Sequence, residues 1–364
     1  MAKKKVAIVG GGIIGAAIAH ELSRQNADVT LFDAGRKVAQ ATLGSFGWIN
    51  AHNHHNEHHF RLRLESIHCW QELARQHRDI PVRFIPAIDW DMPTNEMADT
   101  VSAYNRLGYE SAMLSLSDLK ERFPNLSPGT DYAIVCPGDA VAVPEKIGEF
   151  FATQARNLGA KVIDDCEVSQ LIPEDNSITG VVLNDQTHEF DAFVIAAGCG
   201  STDILNPLGI ELPMDNRSGL LVRTNSQPKL IDAIVSAPEA HFWQMEDGTI
   251  LAGENQAGET EAEDIEAFSH SLIAKLKRLL PGTNNLCVEN HSLGIRPQPL
   301  DGMPVMGATP QYSNLHLAVM HSGITLAPVV AKMISDEIMY DANEHLFAPY
   351  RLNRFEQSRR ALAS

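Results

Sequence analysis

The sequence predicts an α/β protein in which a doubly wound parallel sheet is interrupted by a second, mainly antiparallel β-sheet domain. Three observations lead to this expectation. Residues 6–32 read as a strand, a glycine-rich turn, a helix and a second strand, the order of a βαβ unit. A buried-type strand and an apolar helix return near the C-terminus, whereas residues 211–290 contain several short strands. Parallel strands joined by helical crossovers build doubly wound sheets.

Composition limits the classes of function. A chain of 364 residues suggests two or three domains, or one large α/β unit with an inserted lobe. The net charge of −17 argues against nucleic acid and anionic membrane as main partners. Five cysteines without a C-x-x-C pair disfavour a disulfide framework and a thiolate zinc site. No stretch is long enough to span a membrane, so we expect a cytoplasmic protein.

The first part of the chain alternates between strand and helix patterns. Apolar spacing separates the two, and prolines in residues 81–93 suit edge strands or loops. The predicted elements are strands at 6–9, 28–32 and 161–163, and helices at 13–23, from Phe60, at 111–123 and at 145–158.

The second part predicts a hairpin after Val168 and then a strand-rich region. The further elements are strands at 190–197, 219–224, 240–245, 249–254 and 315–319, and helices at 262–280 and 327–339. Nucleotide-binding signals occur at both ends and near the middle of the chain. We therefore expect a discontinuous nucleotide-binding domain (1–85, 138–210 and 291–364) and a substrate-binding domain (86–137 and 211–290).

A glycine-rich turn gives the first chemical signal. Gly10, Gly12 and Gly15 fit G-x-G-x-x-G directly between a strand and a helix. These glycines allow a tight turn, close approach to a pyrophosphate and close helix–strand packing, and the helix N-terminus then faces the phosphates. Asp33 ends the second strand, where a carboxylate binds a ribose and argues against NADP. The turn predicts a Rossmann-type domain but does not choose between FAD and NAD.

Four segments favour FAD over NAD, because they resemble segments of a known family. They are VAIVGGGIIGAAIAHELS, FDAFVIAAG, GIRPQPLDGMPVMG and LHLAVMHSGITLAP. Together they resemble the FAD-dependent D-amino acid oxidase superfamily, which includes glycine oxidase, sarcosine oxidase and D-amino acid dehydrogenase. The resemblance covers nearly the whole chain in order and is most specific at its two ends. It implies a discontinuous Rossmann-type FAD-binding domain with an inserted antiparallel substrate domain.

The resemblance implies non-covalently bound FAD and a set of cofactor-binding positions. The glycine turn would hold the pyrophosphate, the loop at 41–50 would line the isoalloxazine, and 321–325 would lie at its pyrimidine edge. There, backbone N–H groups at a helix start would stabilise the negative charge of reduced flavin. The implied cofactor-binding residues are Gly10, Gly12, Ile13, Ile14, Gly15, Asp33, Ala34, Gly44, Ser45, Phe46, Gly47, Trp48, Val168, Ala197, Gly198, Ser322, Gly323, Ile324 and Thr325.

Arg296 matches the arginine that grips the substrate carboxylate in amino acid oxidases of this family. A bidentate guanidinium–carboxylate pair fixes the orientation of a substrate. The alternative is a structural arginine that binds loop carbonyls. The tyrosine that often assists is matched by Phe242, which lacks the hydroxyl, and Trp243 or His241 would have to compensate.

A histidine run, AHNHHNEHHF, follows the predicted flavin loop. If helical, it would place His54 with His58 and His55 with His59 at metal-compatible spacing. Nothing else completes a metal site, so we predict no metal and a polar turn near the cleft. Asn50 or His52 could instead face the substrate. A neutral His52 would accept a proton from the substrate ammonium.

These observations predict an FAD-dependent enzyme that oxidises the C–N bond of a small amino acid or secondary amine. A hydride would pass to flavin N5, and the imine would hydrolyse to a keto acid. The catalytic candidates are Arg296, His52 and His321, with Asn50, Phe242 and Trp243 as substrate contacts. Oxygen or an electron carrier would reoxidise the flavin. The alternatives are an FAD-dependent 2-hydroxy-acid dehydrogenase and a flavin-binding subunit of a heteromeric dehydrogenase.

Overall fold

The computed structural model describes residues 2–35, 40–52, 55–254, 265–342 and 344–356. The strands are β1 (Lys5–Val9), β2 (Asp28–Phe32), β3 (Trp48–Ile49), β4 (Val82–Phe84), β5 (Ala87–Asp89), β6 (Ala112–Ser115), β7 (Tyr132–Cys136), β8 (Ala140–Ala142), β9 (Lys161–Ile163), β10 (Gln170–Glu174), β11 (Ser177–Leu183), β12 (Gln186–Glu189), β13 (Ala192–Ile195), β14 (Arg217–Thr224), β15 (Ile234–Ser236), β16 (His241–Gln244), β17 (Ile250–Gly253), β18 (Val288–Arg296), β19 (Val305–Ala308) and β20 (Leu315–Val319). The helices are α1 (Ile13–Arg24), α2 (Gln40–Leu43), α3 (Glu57–Gln76), α4 (Thr94–Arg106), α5 (Leu116–Arg122), α6 (Pro144–Asn157), α7 (Ser201–Leu205), α8 (Ile265–Leu279), α9 (Gly323–Tyr340) and α10 (Glu344–Phe347).

A six-stranded sheet in the order β19-β20-β13-β1-β2-β9 forms the first layer. Its neighbours pair in parallel except β19 and β20, which are antiparallel. The alternation of side chains along β1 explains why this strand is apolar throughout. Val6 and Ile8 pack into one core with α1, whereas Ala7 and Val9 pack into a second core beneath the β10–β12 sheet. Strands covered on both faces read as continuous apolar runs.

An eight-stranded sheet in the order β18-β14-β17-β16-β15-β5-β7-β6 forms the second layer. Its pairs are antiparallel except β15 with β5. The sheet draws strands from two separate parts of the chain, one between 87 and 136 and one between 217 and 296. This arrangement agrees with an inserted antiparallel sheet, while the domain boundaries given above stay a prediction.

The segment 111–123 differs from the helix predicted there. Residues Ala112–Ser115 form β6, which pairs antiparallel with β7, and α5 begins only after it. The side chain of Ser115 accepts a hydrogen bond from the backbone N–H of Asp118, and the Asp118 carboxylate accepts one from the N–H of Ser115. This capping box sets the start of α5, and sheet pairing overrides helical spacing before it.

Two other helices begin earlier than the apolar pattern suggested. Helix α3 begins at Glu57 because the Asn56 side chain caps it, accepting from the N–H of His59. Helix α9 begins at Gly323 and includes Pro328 in its second turn. Residues 262–264 of the helix predicted before 280 lie outside the described residues. No helix in the described ranges combines the length and apolar character needed to cross a bilayer.

Close packing of α1 on the glycine turn depends on Gly15. A Cβ at this position would lie 1.9 Å from the carbonyl oxygen of Gly10. Gly148, inside α6, is a matched control, since its added Cβ would meet nothing nearer than 3.8 Å.

We expect Gly15→Ala to lower the free energy of unfolding by roughly 1–3 kcal/mol, because α1 must move away from the turn. Gly148→Ala should instead raise it by about 0.5–1 kcal/mol, through helix propensity. Urea unfolding of both variants measures the difference. Equal effects of the two substitutions would contradict the packing role of Gly15.

Candidate active site

A cleft of about 530 Å³ runs from the glycine turn to the edge of the eight-stranded sheet. Most of the residues singled out from the sequence line it. They are Gly10, Gly12, Ile13, Ile14, Asp33, Ala34, Gly44, Ser45, Phe46, Gly47, Trp48, Asn50, Val168, Ala197, Gly198, Arg296, His321, Ser322, Gly323, Ile324 and Thr325. Four others, Gly15, His52, Phe242 and Trp243, are not part of this lining.

One end of the cleft is built by the turn between β1 and α1. Gly10 has a φ of 109°, and a Cβ there would lie 2.5 Å from the carbonyl oxygen of Ala196. The carboxylate of Asp33 accepts hydrogen bonds of 2.8 Å from the N–H groups of Gly11 and Gly35. Gly12 caps α1 without a side-chain hydrogen bond, and the first turn has no acidic residue. The positive end of this helix therefore faces the cleft.

A second helix N-terminus reaches the same cleft at α9. Its N-cap, Ser322, has a left-handed backbone with a φ of 59° and makes no side-chain cap hydrogen bond among the described residues. The carbonyl of Thr325 accepts from the Ser66 hydroxyl at 2.6 Å and from the Trp70 indole at 3.0 Å. The Thr325 hydroxyl donates to the Trp48 carbonyl at 3.0 Å. The start of α9 is thus fixed against α3 and the β3 segment.

Arg296 ends β18 and is half-buried in the cleft wall. Its guanidinium makes no hydrogen bond or ion pair with any residue that the structure describes. It lies against Gly219 of β14, where a Cβ would be 2.6 Å from Nη2. Burial, and then the nearby Arg217, lower the pKa of Arg296. A guanidinium with free donors in a cleft is suited to a carboxylate, and no loop carbonyl in the described structure uses those donors.

His321 lines the cleft at the end of the β20 segment. Burial lowers the pKa of its imidazole to about 4, with Arg296 and Arg63 adding to the effect. Its Nδ1 lies 3.0 Å from the hydroxyl of Ser322. The imidazole is therefore neutral near pH 7.

His52 lies behind the cleft wall, so the expectation that it faces the substrate does not agree with the structure. Its Nδ1 is 3.1 Å from Asp89 Oδ2, and its Nε2 is 3.5 Å from Asp139 Oδ2. Burial opposes protonation, but these two carboxylates outweigh it and raise the pKa of His52 well above its usual value. An imidazolium held between two carboxylates cannot accept a proton from a substrate ammonium.

Asp139 is fully buried, and it connects the cleft wall to the ion cluster formed by His52, Asp89 and Asp139 itself. It accepts a 2.7 Å hydrogen bond from the indole N–H of Trp48 and another from the hydroxyl of Tyr109. The rings of Trp48 and His52 are 4.7 Å apart, edge to face. Trp48, which lines the cleft, is therefore held from behind by the same carboxylate that holds His52.

Phe242 and Trp243 are both fully buried and do not reach the cleft. The indole of Trp243 donates a 2.9 Å hydrogen bond to the carbonyl of Phe46, which fixes the 44–48 loop from behind. His241 of the same strand lines the cleft instead, with its ring centroid 4.5 Å from that of Phe46. Alternation along β16 turns Phe242 to the opposite face.

The histidine run does not form a metal site in the described part of the chain. His54 lies outside the described residues, and His55 precedes α3 rather than joining it. No group of three His, Cys, Asp or Glu residues is arranged to bind a metal within the described ranges. Burial lowers the pKa of His59 to about 3, so this side chain is neutral.

Sequence reasoning missed Arg63, which lines the cleft from α3. Its Nε donates to the Asn50 carbonyl at 3.0 Å, and its Nη2 donates to Asn50 Oδ1 at 2.7 Å. The sequence did carry a signal for this residue, because Arg63 shares one helical face with three apolar residues: Phe60, Ile67 and Trp70. A cation on an otherwise buried face is unusual and points to a specific partner.

The groups at the nucleotide end fit FAD. An acidic side chain ends β2, and the glycine turn has no room for a Cβ at Gly10 or Gly11. With two helix N-termini open to the cleft, these features are suited to an anionic dinucleotide.

Known proteins resemble this chain over almost its full length. Glycine oxidase from Pseudomonas putida is 25% identical, covering 92% of this chain and 94% of that protein. The crystal structure of L-proline dehydrogenase from P. horikoshii superimposes with a TM-score of 0.87 at 22% identity, covering 98% of both chains. The crystal structure of glycine oxidase from Geobacillus kaustophilus gives a TM-score of 0.85 at 22% identity, covering 97% and 99%. These structures confirm the predicted fold class.

A family model decides the assignment. The model of the DAO family, described as FAD dependent oxidoreductase, matches residues 5–337. It confirms the resemblance on which FAD was predicted. The chain belongs to the DAO family of FAD-dependent oxidoreductases.

Proposed function

We propose that this enzyme oxidises the C–N bond of an amino acid or small secondary amine that carries a carboxylate. The observation that carries the proposal is the free, half-buried guanidinium of Arg296 in the cleft that opens from the nucleotide turn. Support comes from the relative named glycine oxidase and from the neighbour named L-proline dehydrogenase, whose names both refer to α-amino acids.

Arg296 has the role of binding and orienting the substrate. Two N–H donors of its guanidinium accommodate a carboxylate in one plane, which fixes the direction of the α-carbon. FAD, when bound, supplies the two-electron acceptor for the hydride that leaves this carbon. The C–H bond breaks, a C=N bond forms, and the nitrogen loses a proton. Water then hydrolyses the imine to a carbonyl product and an amine or ammonia.

The reacting nitrogen must be unprotonated, and the cleft favours that form. His321 is neutral, and Arg63 and Arg296 are cations, so an ammonium is disfavoured there. We assign His321 to positioning beside the start of α9 rather than to acid–base transfer. The proposed cofactor contacts are the residues of the glycine turn, the 44–48 loop and 322–325 described above.

Anaerobic bleaching of the yellow holoprotein tests the proposal most simply. Amino acids of both configurations, N-methyl amino acids and 2-hydroxy acids are added separately, and the flavin absorbance is followed. Reduction by amino acids or N-methyl amino acids but not by hydroxy acids supports the proposal. Reduction only by hydroxy acids, or by no member of the panel, contradicts it.

We expect Arg296→Met to raise the apparent Kd of the reducing substrate by about 100-fold or more, because hydrogen bonds to charged groups are each worth about 1.5–3 kcal/mol. The FAD content should be unchanged. Arg75→Met is the matched control, since that arginine is exposed and pairs with Glu72 on α3. Loss of FAD from the Arg296 variant, or an unchanged Kd, would show that the carboxylate assignment is wrong.

The pH dependence gives a separate check. With a pKa of about 4, His321 stays neutral when the pH rises through the ordinary histidine range. Between about pH 5.5 and 9, the limiting rate of flavin reduction should therefore show no inflection from this group. The apparent Kd should fall as the substrate amine loses its proton. An inflection near pH 6.5 that disappears in His321→Asn would refute the neutral assignment.

A further inference from the structure

Asn50 and Arg63 present a second set of hydrogen-bond donors to the cleft. Asn50 Oδ1 accepts from Arg63 Nη2 at 2.7 Å and from the N–H of His52 at 3.1 Å. These two donors fix the orientation of the amide, because a flipped Asn50 would direct its NH₂ group at both of them. The Nδ2 group of Asn50 and the Nη1 group of Arg63 form no hydrogen bond with any described residue. Asn50 is only 6% exposed, and both residues line the cleft.

Carboxylates do not compensate these donors. Among the described residues, three acidic ones line the cleft, and they belong to the loops and the helix that follow strands of the six-stranded sheet: Asp33, Glu167 and Asp203. Neither α3, β14, β16 nor β18 contributes an acidic residue to the lining that the structure describes. Unpaired donors and charges in a buried site are costly. A ligand with acceptor atoms would remove that cost.

Asp139 is a candidate counter-ion of Arg63, but its oxygens already accept hydrogen bonds from other residues. It attracts the Arg63 guanidinium electrostatically, yet the two form no ion pair among the described contacts. Its carboxylate accepts from Trp48 and Tyr109 and faces His52. Arg63 therefore keeps donor capacity that is directed at the cleft.

The two cleft arginines act on a common neighbour. Both Arg296 and Arg63 lower the pKa of the His321 imidazole, which itself lines the cleft. Arg63 lies one helical turn before Ser66, which donates to the Thr325 carbonyl at the start of α9, close to His321 in sequence. Arg63, His321 and Arg296 all line the same cleft. A single small molecule bound there can meet both.

We propose that Asn50 and Arg63 form a second carboxylate subsite, so that the substrate is an amino acid with two carboxylates. One carboxylate binds Arg296, and the other accepts from Asn50 Nδ2 and the Arg63 guanidinium. This inference rests on the proposed function. The second carboxylate belongs either to an acidic side chain or to an N-carboxyalkyl group on the reacting nitrogen, and both present the same acceptor atoms to the subsite.

Matched ligand pairs test the subsite in the holoenzyme. Anaerobic flavin reduction is compared for aspartate with asparagine and glutamate with glutamine, in both configurations, and for iminodiacetate with N-methylglycine. We expect the dicarboxylate of the productive pair to show an apparent Kd about 10-fold or more below its partner. The productive pair identifies whether the second carboxylate lies on the side chain or on nitrogen. Equal apparent Kd values within every reducing pair would overturn the proposal.

Variants test the residues themselves. Arg63→Met should reduce the preference for the dicarboxylate, which is the ratio of the two apparent Kd values, to about 3-fold or less, with FAD content unchanged. Arg61→Met is the control on the same helix, since Arg61 is exposed and pairs with Glu57. Should Arg63→Met fail to fold, binding of glutarate against butyrate to the wild-type holoenzyme, followed by the flavin spectrum, gives the same comparison without catalysis. Glutarate must then bind about 10-fold more tightly.

The possible results separate this inference from the proposed function. If monocarboxylic and dicarboxylic amino acids reduce the flavin equally well, the second subsite is refuted while the proposed function stands. If no amine reduces the flavin, the proposed function fails. If Arg63→Met loses FAD while the preference for two carboxylates persists in the remaining holoenzyme, the Arg63 donors serve the cofactor, and the assignment is overturned.

Discussion

Two helix N-termini directed at one cleft are the constraint on which the rest of the site depends. The first-turn N–H groups of α1 and α9 have no carboxylate cap, and Gly12 and Ser322 provide no side-chain cap in the described structure. The Ile13 N–H donates to the Thr42 hydroxyl at 3.3 Å, and an anion in the cleft would satisfy first-turn N–H groups that have no such partner. The chain as a whole carries a charge of −17, yet it concentrates backbone donors here. The glycine turn, the anchoring of Thr325 by Ser66 and Trp70, and the close contact of α1 with the turn all keep these donors in place.

A buried ion cluster supports the opposite wall of the cleft. His52, Asp89 and Asp139 bring together residues from the β3 segment, the eight-stranded sheet and the loop before β8. Buried charges are tolerated when each is paired and hydrogen-bonded, and removing one partner leaves the other uncompensated. This cluster fixes the indole of Trp48 from behind and places the backbone that orients Asn50. One residue of the histidine run, His52, therefore stabilises the cleft wall although it does not line the cleft.

The residues at the nucleotide end of the cleft could be predicted from the sequence because the motif that specifies them is local. A glycine pattern, a strand and an acidic residue within about one βαβ unit specify their own geometry, and Gly10, Asp33 and 322–325 all line the cleft. The reaction end was read less well because it depends on distant contacts. His52 meets carboxylates 37 and 87 positions away in the chain, and no local pattern predicts such pairs. Whether Phe242 reaches the cleft depends on which face of β16 meets the cleft, and the sequence does not specify that face. The only sequence signal for Arg63 is a cation on an otherwise apolar helical face.

The proposed function requires that FAD occupies the cleft and that the substrate carboxylate binds Arg296 beside it. A crystal structure of the yellow holoprotein with a non-oxidisable carboxylate tests this most directly. We expect flavin in the cleft between the 44–48 loop and the start of α9, with the ligand carboxylate on the Arg296 guanidinium. A carboxylate bound elsewhere, with Arg296 directed at protein carbonyls, would contradict it.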